Sequence, residues 1–282
     1  PAGPLDEARR LLATGQPRKA RRLLNDWLDA HFDDEQYYEG EFLLGETYFM
    51  QADFWKAVER FQTVAENASG ELFERANERC VDVARAFFSG KKRILWKIFR
   101  LPAQDDAVEI LDRVWERMPG TRLGETALWL KAQYFFRSGQ MDLAQDEYAN
   151  LVTQYPGGRY TQIAMLRSAE AAEASFPGVR FDDRSLLEAT ERYEQLDAAF
   201  PAFATDEQVA ARLEGIEELR AAKDLDIARW YQRTDRTDAA IFYYRTLLHD
   251  WPHTLAAAEA RRALEELGAA EEPSAPTPEG ES

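Results

Sequence analysis

The stretch GETYFMQADFWKAVERFQTVAEN, residues 45–67, holds two apolar patterns joined by a short polar turn. Gly45 and Tyr48 stand three apart, and Ala57, Phe61 and Val64 stand at spacings of four and three. Those spacings put each set on one face of a helix. The small residue of each set lets a neighbouring backbone come close, while the bulky one fills the groove beside it. Between the sets MQAD is too short and too polar to be buried, so the stretch predicts two amphipathic helices folded back on one another.

The same pattern recurs along the chain. The second-helix series is Ala20/Leu24/Trp27, Ala57/Phe61/Val64, Ala107/Leu111/Val114, Ala144/Tyr148/Leu151, Ala189/Tyr193/Leu196 and Ala240/Tyr244/Leu247. The last four of the six are followed by Pro119, Pro156, Pro201 and Pro252, residues that cannot continue a helical hydrogen-bond ladder. Twelve residues before the alanine lies a second small position in four pairs, Ala8, Gly45, Ala132 and Ala228, with Leu11, Tyr48, Phe135 and Tyr231 three later. Turns such as ATGQP and RSGQ separate the halves. A helix-turn-helix unit of about 34 residues resembles the tetratricopeptide repeat. The expected fold is all-α, a right-handed tetratricopeptide superhelix of about six helix pairs with a capping helix at Leu255–Leu267.

Two pairs break the period. Ala84 and Ala107 enclose KKRILWKIFRLP (Lys91–Pro102), and Ala169 and Ala189 enclose EASFPGVRFDDRS (residues 173–185). Both insertions fall between the helices of a pair, which places them on the same edge of an ideal repeat stack. On a helical wheel Arg93, Lys97 and Arg100 share a narrow sector opposite Ile94, Leu95, Ile98, Phe99 and Leu101, so the first insertion reads as a short basic amphipathic helix. Its apolar side either packs on the repeats or forms a foot on an anionic surface or acidic partner, with Trp96 at the boundary.

Composition narrows the function classes. With 51 acidic and 35 basic side chains among 282 residues, the net charge of -16 argues against nucleic acid as the main partner. The 45% hydrophobic content suits a folded chain, and no window reaches the eighteen or so apolar residues a membrane span requires. The single cysteine, Cys80, reads as a small buried hydrophobe. PAGPLDEARR at the start has no signal-peptide core, so an export signal would precede Pro1. EEPSAPTPEGES at the end reads as a mobile acidic tail.

From about residue 103 to 267 the ordered series DDAVEILDRVWERMPGTRLGETA, MDLAQDEYANLVTQYPGGRYTQIA, the PG-and-DD insertion before LLEATERYEQLDAAFP, and KDLDIARWYQRTDRTDAAIFYYRTLLHDWPHT resembles one family. It is similar to the BamD-like tetratricopeptide lipoproteins of the outer-membrane β-barrel assembly machinery. The resemblance implies a non-enzymatic scaffold at the periplasmic face of the outer membrane, lipid-anchored through a cysteine that would precede Pro1. It implies binding to the barrel-forming subunit and to unfolded outer-membrane proteins, without cofactor. The corresponding division is an N-terminal extension (1–90), a basic insertion (91–103), the family-like region (104–268) and the tail (269–282).

The chemistry-bearing motifs are few. His249 and His253 in HDWPH read as a polar helix end rather than a metal site. The acidic runs FDDEQ, QDD and FDDRS precede helices, where carboxylates cap free N–H groups. YPGGRY lacks the Lys-Ser/Thr of a phosphate loop, and Asn67 of NAS is a weak glycosylation match. The inward tyrosines Tyr148, Tyr193 and Tyr244 sit at packing spacing, whereas Trp129, Trp230 and Tyr243 fall outside it and are candidates for a binding groove. Candidate partner-binding residues are therefore Lys91, Lys92, Arg93, Trp96, Lys97, Phe99 and Arg100 in the insertion, and Arg220, Lys223, Arg229 and Trp230 in the last pair. Two competing readings are a tetratricopeptide adaptor of another envelope or cytosolic complex, such as a cell-division coordinator, and an enzyme built on a helical scaffold. The enzyme would need a polar cluster in a pocket.

Overall fold

The computed structural model describes residues 3–91, 93–95, 99–101, 103–179 and 182–269. Fourteen α-helices are found among the described residues, six pairs and a capping helix as the repeat pattern predicts plus one short extra helix, and the chain divides into two compact units, Pro1–Thr161 and Gln162–Ser282.

In the first unit, pairs are formed by α1 (Pro4–Ala13) with α2 (Pro17–Ala30), α3 (Tyr37–Met50) with α4 (Phe54–Asn67), α5 (Gly70–Phe88) with α6 (Gln104–Arg117), and α7 (Arg122–Arg137) with α8 (Met141–Gln154). The small residues of the pattern, Ala8, Ala20, Ala57, Ala84, Ala107, Ala132 and Ala144, are each 0% exposed. Phe61, Val64, Leu111 and Val114 form one core with Cys80 and Phe87 of α5. Burial pushes the Cys80 thiol up to about 12, so the sulfur stays protonated and acts as a hydrophobe.

In the second unit α9 (Thr161–Ala174) packs on α10 (Arg184–Ala199), with Leu166, Ala169 and Ala172 against Leu186, Ala189, Tyr193 and Leu196. A short α11 (Pro201–Asp206) follows, then α12 (Val209–Arg233), α13 (Thr237–Asp250) and α14 (Leu255–Glu266). The 25-residue α12 and the separate α11 are not encoded in the repeat spacing. Helix α14 caps a core of Ala228, Ala240, Tyr244 and Leu247. Helices α6, α8, α10 and α13 all end two residues before their prolines.

Four pairs share one turn. Each first helix closes with a residue in the left-handed region, Gly15 (φ 70), Ala52 (φ 57), Gly139 (φ 78) and Asp235 (φ 57). The next amide donates back to the carbonyl of Leu11, Tyr48, Phe135 or Tyr231 at 2.8–3.1 Å. This is a Schellman closure, and it always falls five residues before the small core residue of the second helix. Glycine takes that backbone freely, whereas alanine there costs about 1 kcal/mol. Ala52→Gly is therefore expected to stabilise the first unit by about 0.5–1 kcal/mol and Gly15→Ala to destabilise it by a similar amount, read from urea midpoints at constant slope.

The first insertion departs from the helical expectation. Arg93–Leu95 (β1) and Phe99–Leu101 (β2) form an antiparallel hairpin in the register Arg93↔Leu101, Ile94↔Arg100 and Leu95↔Phe99, and β1 approaches α4. Gly90 has φ 88 and closes α5, with the Lys91 amide donating to Ala86 O at 3.1 Å. Between that closure and Pro102 there is too little chain for an isolated helix to nucleate. Ile94, Trp96, Ile98 and Phe99 also favour strand over helix, and strand pairing satisfies the backbone where a lone helical turn cannot.

Candidate protein-binding surfaces

On the last pair α12 and α13 present an aromatic ladder at the end where Asp235 reverses the chain. Tyr231 and Tyr243 lie parallel with ring centres 4.9 Å apart and an interplanar angle of 8°. Trp230 meets Tyr231 edge-on at 4.9 Å, and Phe242 meets Tyr243 edge-on at 5.5 Å. The outer rungs are open to solvent, Trp230 at 46% and Phe242 at 63% exposure. The Arg236 guanidinium lies over the Trp230 ring at 5.8 Å. Four aromatic faces in a row beside a cation suit an extended peptide better than a compact small molecule. Of these residues the sequence singles out Trp230 and Tyr243. Phe242 was legible as well, because only one residue of the run Phe242–Tyr243–Tyr244 can sit in the core register, and Tyr244 takes it.

The three candidate cations of α12, Arg220, Lys223 and Arg229, are engaged within the second unit. Arg220 Nε and Lys223 Nζ donate to opposite oxygens of Asp183 at 3.2 and 2.6 Å. Arg220 also covers the Trp251 ring at 4.8 Å, and Trp251 Nε1 donates to Asp224 at 2.8 Å. Arg229 pairs with Glu259 of α14. The run FDDRS predicts a carboxylate cap on α10, and Asp182 supplies it, its Oδ1 accepting the Arg184 amide at 3.1 Å. Asp183 stands at the N-cap, but its side chain makes no capping bond and turns to the two cations instead. Two charge-assisted bonds outweigh one amide bond at a helix start.

Lys223, followed by Arg220, holds the Asp183 carboxyl below the usual carboxylate range, against the opposing effect of burial. A depressed folded value contributes stability that is complete above the unfolded value, near pH 4, and is lost as pH falls through the folded value. Asp183→Asn is thus expected to destabilise the second unit by about 1–2 kcal/mol at pH 7. The gap between variant and parent in urea unfolding should close as pH drops below about 4. A gap independent of pH would mean that the carboxylate acts by shape alone.

In the first unit α1, α3 and α5 line a cleft of about 340 Å³ that includes Arg9, Leu12, Phe42, Glu46, Arg75 and Arg79. Two of its three arginines are matched by carboxylates: Arg79 donates to both Glu46 oxygens at 2.5 Å and to Asp82 at 2.9 Å, and Arg9 reaches Glu39 at 3.1 Å. Arg75 and Arg79 lie over Phe42 and Phe49 at 4.4 and 4.5 Å. A second cleft, about 370 Å³, lies between α5 and α7, where Phe88 stacks on Tyr134 at 4.5 Å between Arg85 and Arg137. Trp129 is not a free groove residue, because it stacks on Tyr160 at 4.7 Å and 5°.

Of the insertion residues expected to contact a partner, Lys91 is exposed directly after α5. Arg93, Phe99 and Arg100 lie in the hairpin strands. Lys92, Trp96 and Lys97 fall outside the described residues. At the other end of the chain His249 rests against Asp250 at 2.9 Å at the exposed end of α13. No group of three or more His, Cys, Asp or Glu residues is placed to hold a metal among the described residues, and none of the described helices is long and apolar enough to cross a membrane.

Comparison with known proteins agrees with this geometry. Residues 168–272 match the family described as outer membrane lipoprotein, YfiO, and residues 126–158 match the tetratricopeptide repeat. The first match spans α10 to α14, with the Asp183 clamp and the aromatic ladder inside it, and bears out the resemblance to the BamD-like lipoproteins over that region. No curated protein matches the chain in sequence. Among solved structures the chain is similar to a putative kinesin light chain of Podosopora anserina with nearly identical TPR-like repeats. Identity there is 17% and the TM-score 0.38, over 69% of this chain and 92% of that one. It is also similar to the C-terminal part of a TPR repeat-containing protein from Cytophaga hutchinsonii, at 12% identity and a TM-score of 0.31, over 91% and 98% of the two chains.

Proposed function

We propose that this chain is a non-enzymatic scaffold of the machinery that assembles β-barrel proteins into the outer membrane, binding the barrel-forming subunit, unfolded barrel proteins, or both. The observation that carries the reading is the outer membrane lipoprotein match over residues 168–272, a stretch whose helix pairs present side chains outward as a contact surface. Helix pairs of this kind recognise extended or helical peptides along their faces, and the two clefts and the ladder are all lined by aromatic rings and arginines, the residue types that anchor protein interfaces. The site of action on this reading is the periplasmic face of the outer membrane, reached through a lipid anchor N-terminal to Pro1.

The basic hairpin is the second proposed contact. In sequence this stretch carries Lys91, Lys92, Arg93, Lys97 and Arg100 with Trp96 and Phe99, in a chain that is otherwise acidic, which suits an acidic partner or an anionic surface. The test is affinity purification of the tagged protein from detergent-solubilised envelopes. Recovery of the barrel-forming subunit supports the reading, and recovery of an unrelated complex overturns it. In the same assay Ile94→Ser/Trp96→Ser/Phe99→Ser is expected to lower recovery of the partner, or binding to anionic vesicles, by about tenfold, equal to roughly 1.4 kcal/mol, with Tm nearly unchanged. A large drop in Tm would instead assign the apolar residues of the hairpin to the core.

A further inference from the structure

The cleft between α5 and α7 is built from two helix stripes. Leu130, Gln133, Tyr134 and Arg137 fall within two turns of α7 at spacings of three and four, so they share one side of that helix and all line the cleft. On α5, Arg85 and Phe88 stand one turn apart and line it from the other helix. The Phe88 and Tyr134 rings are nearly parallel, 4.5 Å between centres and 9° between planes, and both are half-buried. Packed on each other, they offer a ligand one shared apolar edge rather than a slot between them.

The donors around this floor are open. The Tyr134 hydroxyl, the Gln133 amide and the Arg137 guanidinium make no hydrogen bond or ion pair among the described residues. Arg85 approaches Asp82 only to 3.8 Å, with both side chains substantially exposed, and Asp82 is already held by Arg79 at 2.9 Å. An exposed pair of that length contributes little, so Arg85 remains available to a second anion. Both arginines stand in the last turn of their helices, where the macrodipole favours a cation. Their charge is therefore kept in place without a carboxylate of the cleft's own.

Charge sets this cleft apart from the rest of the chain. No Asp or Glu lines it among the described residues, in a protein with 51 acidic side chains. The cleft of α1, α3 and α5, by contrast, has Glu46 and Glu78 in its own wall. Lys91, two residues past the lining residue Ser89, is exposed as well. The volume of about 370 Å³ is that of a small ligand site, and two or three cations are too few for a nucleic acid, whose affinity grows with the number of phosphates neutralised. One or two carboxylates beside an apolar side chain match both the charge and the floor.

We infer that this cleft binds an extended acidic segment of a partner protein, with an apolar side chain of the segment on the Phe88–Tyr134 floor and neighbouring carboxylates on Arg137 and Arg85. Planar guanidinium groups hold carboxylates by charge-assisted, two-pronged bonds, and the aromatic floor selects for an aromatic or aliphatic neighbour of the acid. The cleft lies in the first unit, outside residues 168–272 that match the outer membrane lipoprotein family, so this binding is independent of the complex the protein serves.

The test uses the full chain and a short labelled peptide alternating glutamate and phenylalanine, blocked at both ends so that its only charges are side-chain carboxylates, with fluorescence anisotropy as the readout. The protein is expected to bind it at least about tenfold more tightly than the same peptide with lysine for glutamate or serine for phenylalanine. Arg137→Gln should weaken binding by about tenfold, at unchanged Tm because the side chain is exposed. Arg137→Lys should restore only part of the loss, since an ammonium keeps the charge but not the fork, and Arg85→Gln should weaken binding as Arg137→Gln does. Absence of binding, equal binding of the glutamate and lysine peptides, or binding that neither arginine substitution weakens overturns the proposal. Loss of binding in Arg75→Gln with Arg137→Gln unaffected would place the peptide in the cleft of α1, α3 and α5, and would overturn it too.

Discussion

Phe61→Ala is expected to cost the first unit about 3–5 kcal/mol, a large share of the stability of a unit of this size. Phe61 is 0% exposed in the centre of the core that joins α4, α5 and α6. Its ring packs on Phe42 with centres 5.5 Å apart, and it presses on the backbone of α3 at Gly45. A Cβ on Gly45 would stand 2.6 Å from the Phe61 ring, so ring and glycine are two halves of one contact. The alanine variant leaves a cavity that the flanking helices, pinned by the turn at Ala52, cannot close. Gly45→Ala should destabilise by about 1–3 kcal/mol through overpacking. The pair Gly45→Ala/Phe61→Leu should be less destabilised than the sum of the single changes, because the smaller side chain returns the space. Denaturant unfolding across this double-mutant cycle is the check, and strict additivity would refute the shared contact.

The second large effect is expected at Gly124. A Cβ there would lie 2.6 Å from the Tyr155 hydroxyl and closer still to the Met118 carbonyl. The carbonyl belongs to the backbone that turns α6 into α7, so it cannot move aside as a side-chain tip can. The site is tightly tied: the Gly124 amide donates to Thr121 Oγ1 at 3.1 Å, and the Gly120 amide donates to the Tyr155 hydroxyl at 3.2 Å. Gly124→Ala is therefore expected to cost about 2–3 kcal/mol despite alanine's better helix propensity, measured as a shift in the urea midpoint. Tyr155→Phe should recover part of that loss by removing one of the two obstructing atoms, although it forfeits the Gly120 bond. Loss of the same size in both backgrounds would place the whole obstruction at Met118.

The repeat was legible because its signal is local. Small and bulky residues four apart mark a helix face, and their burial follows from one geometry used six times. The first insertion reads as a helix on the wheel and folds as a hairpin, because the wheel ranks faces but carries no cost for nucleation. The stretch from Gly90 to Pro102 is short enough for that cost to decide. The Asp183 clamp was not legible, since its partners Arg220 and Lys223 lie 37 and 40 residues away on a helix whose length the repeat does not fix. Arg220 and Lys223 stand out in the sequence as unusual, yet nothing local reveals that an acid of the second insertion already engages them. The left-handed turns were half legible, Gly15 and Gly139 by residue type, Ala52 and Asp235 only by their place in the count.

That shared turn also bears on the order in which the chain assembles. The turn between α1 and α2 spans Thr14–Gln16, whereas α5 and α6 are separated by residues 89–103. Closing the longer connection costs roughly 1.4 kcal/mol more in chain entropy. Nucleation should therefore begin in the pairs with the tight turn, α1–α2, α3–α4, α7–α8 and α12–α13. The two pairs that carry insertions would be the junctions completed last, with neighbouring nuclei already present to template them.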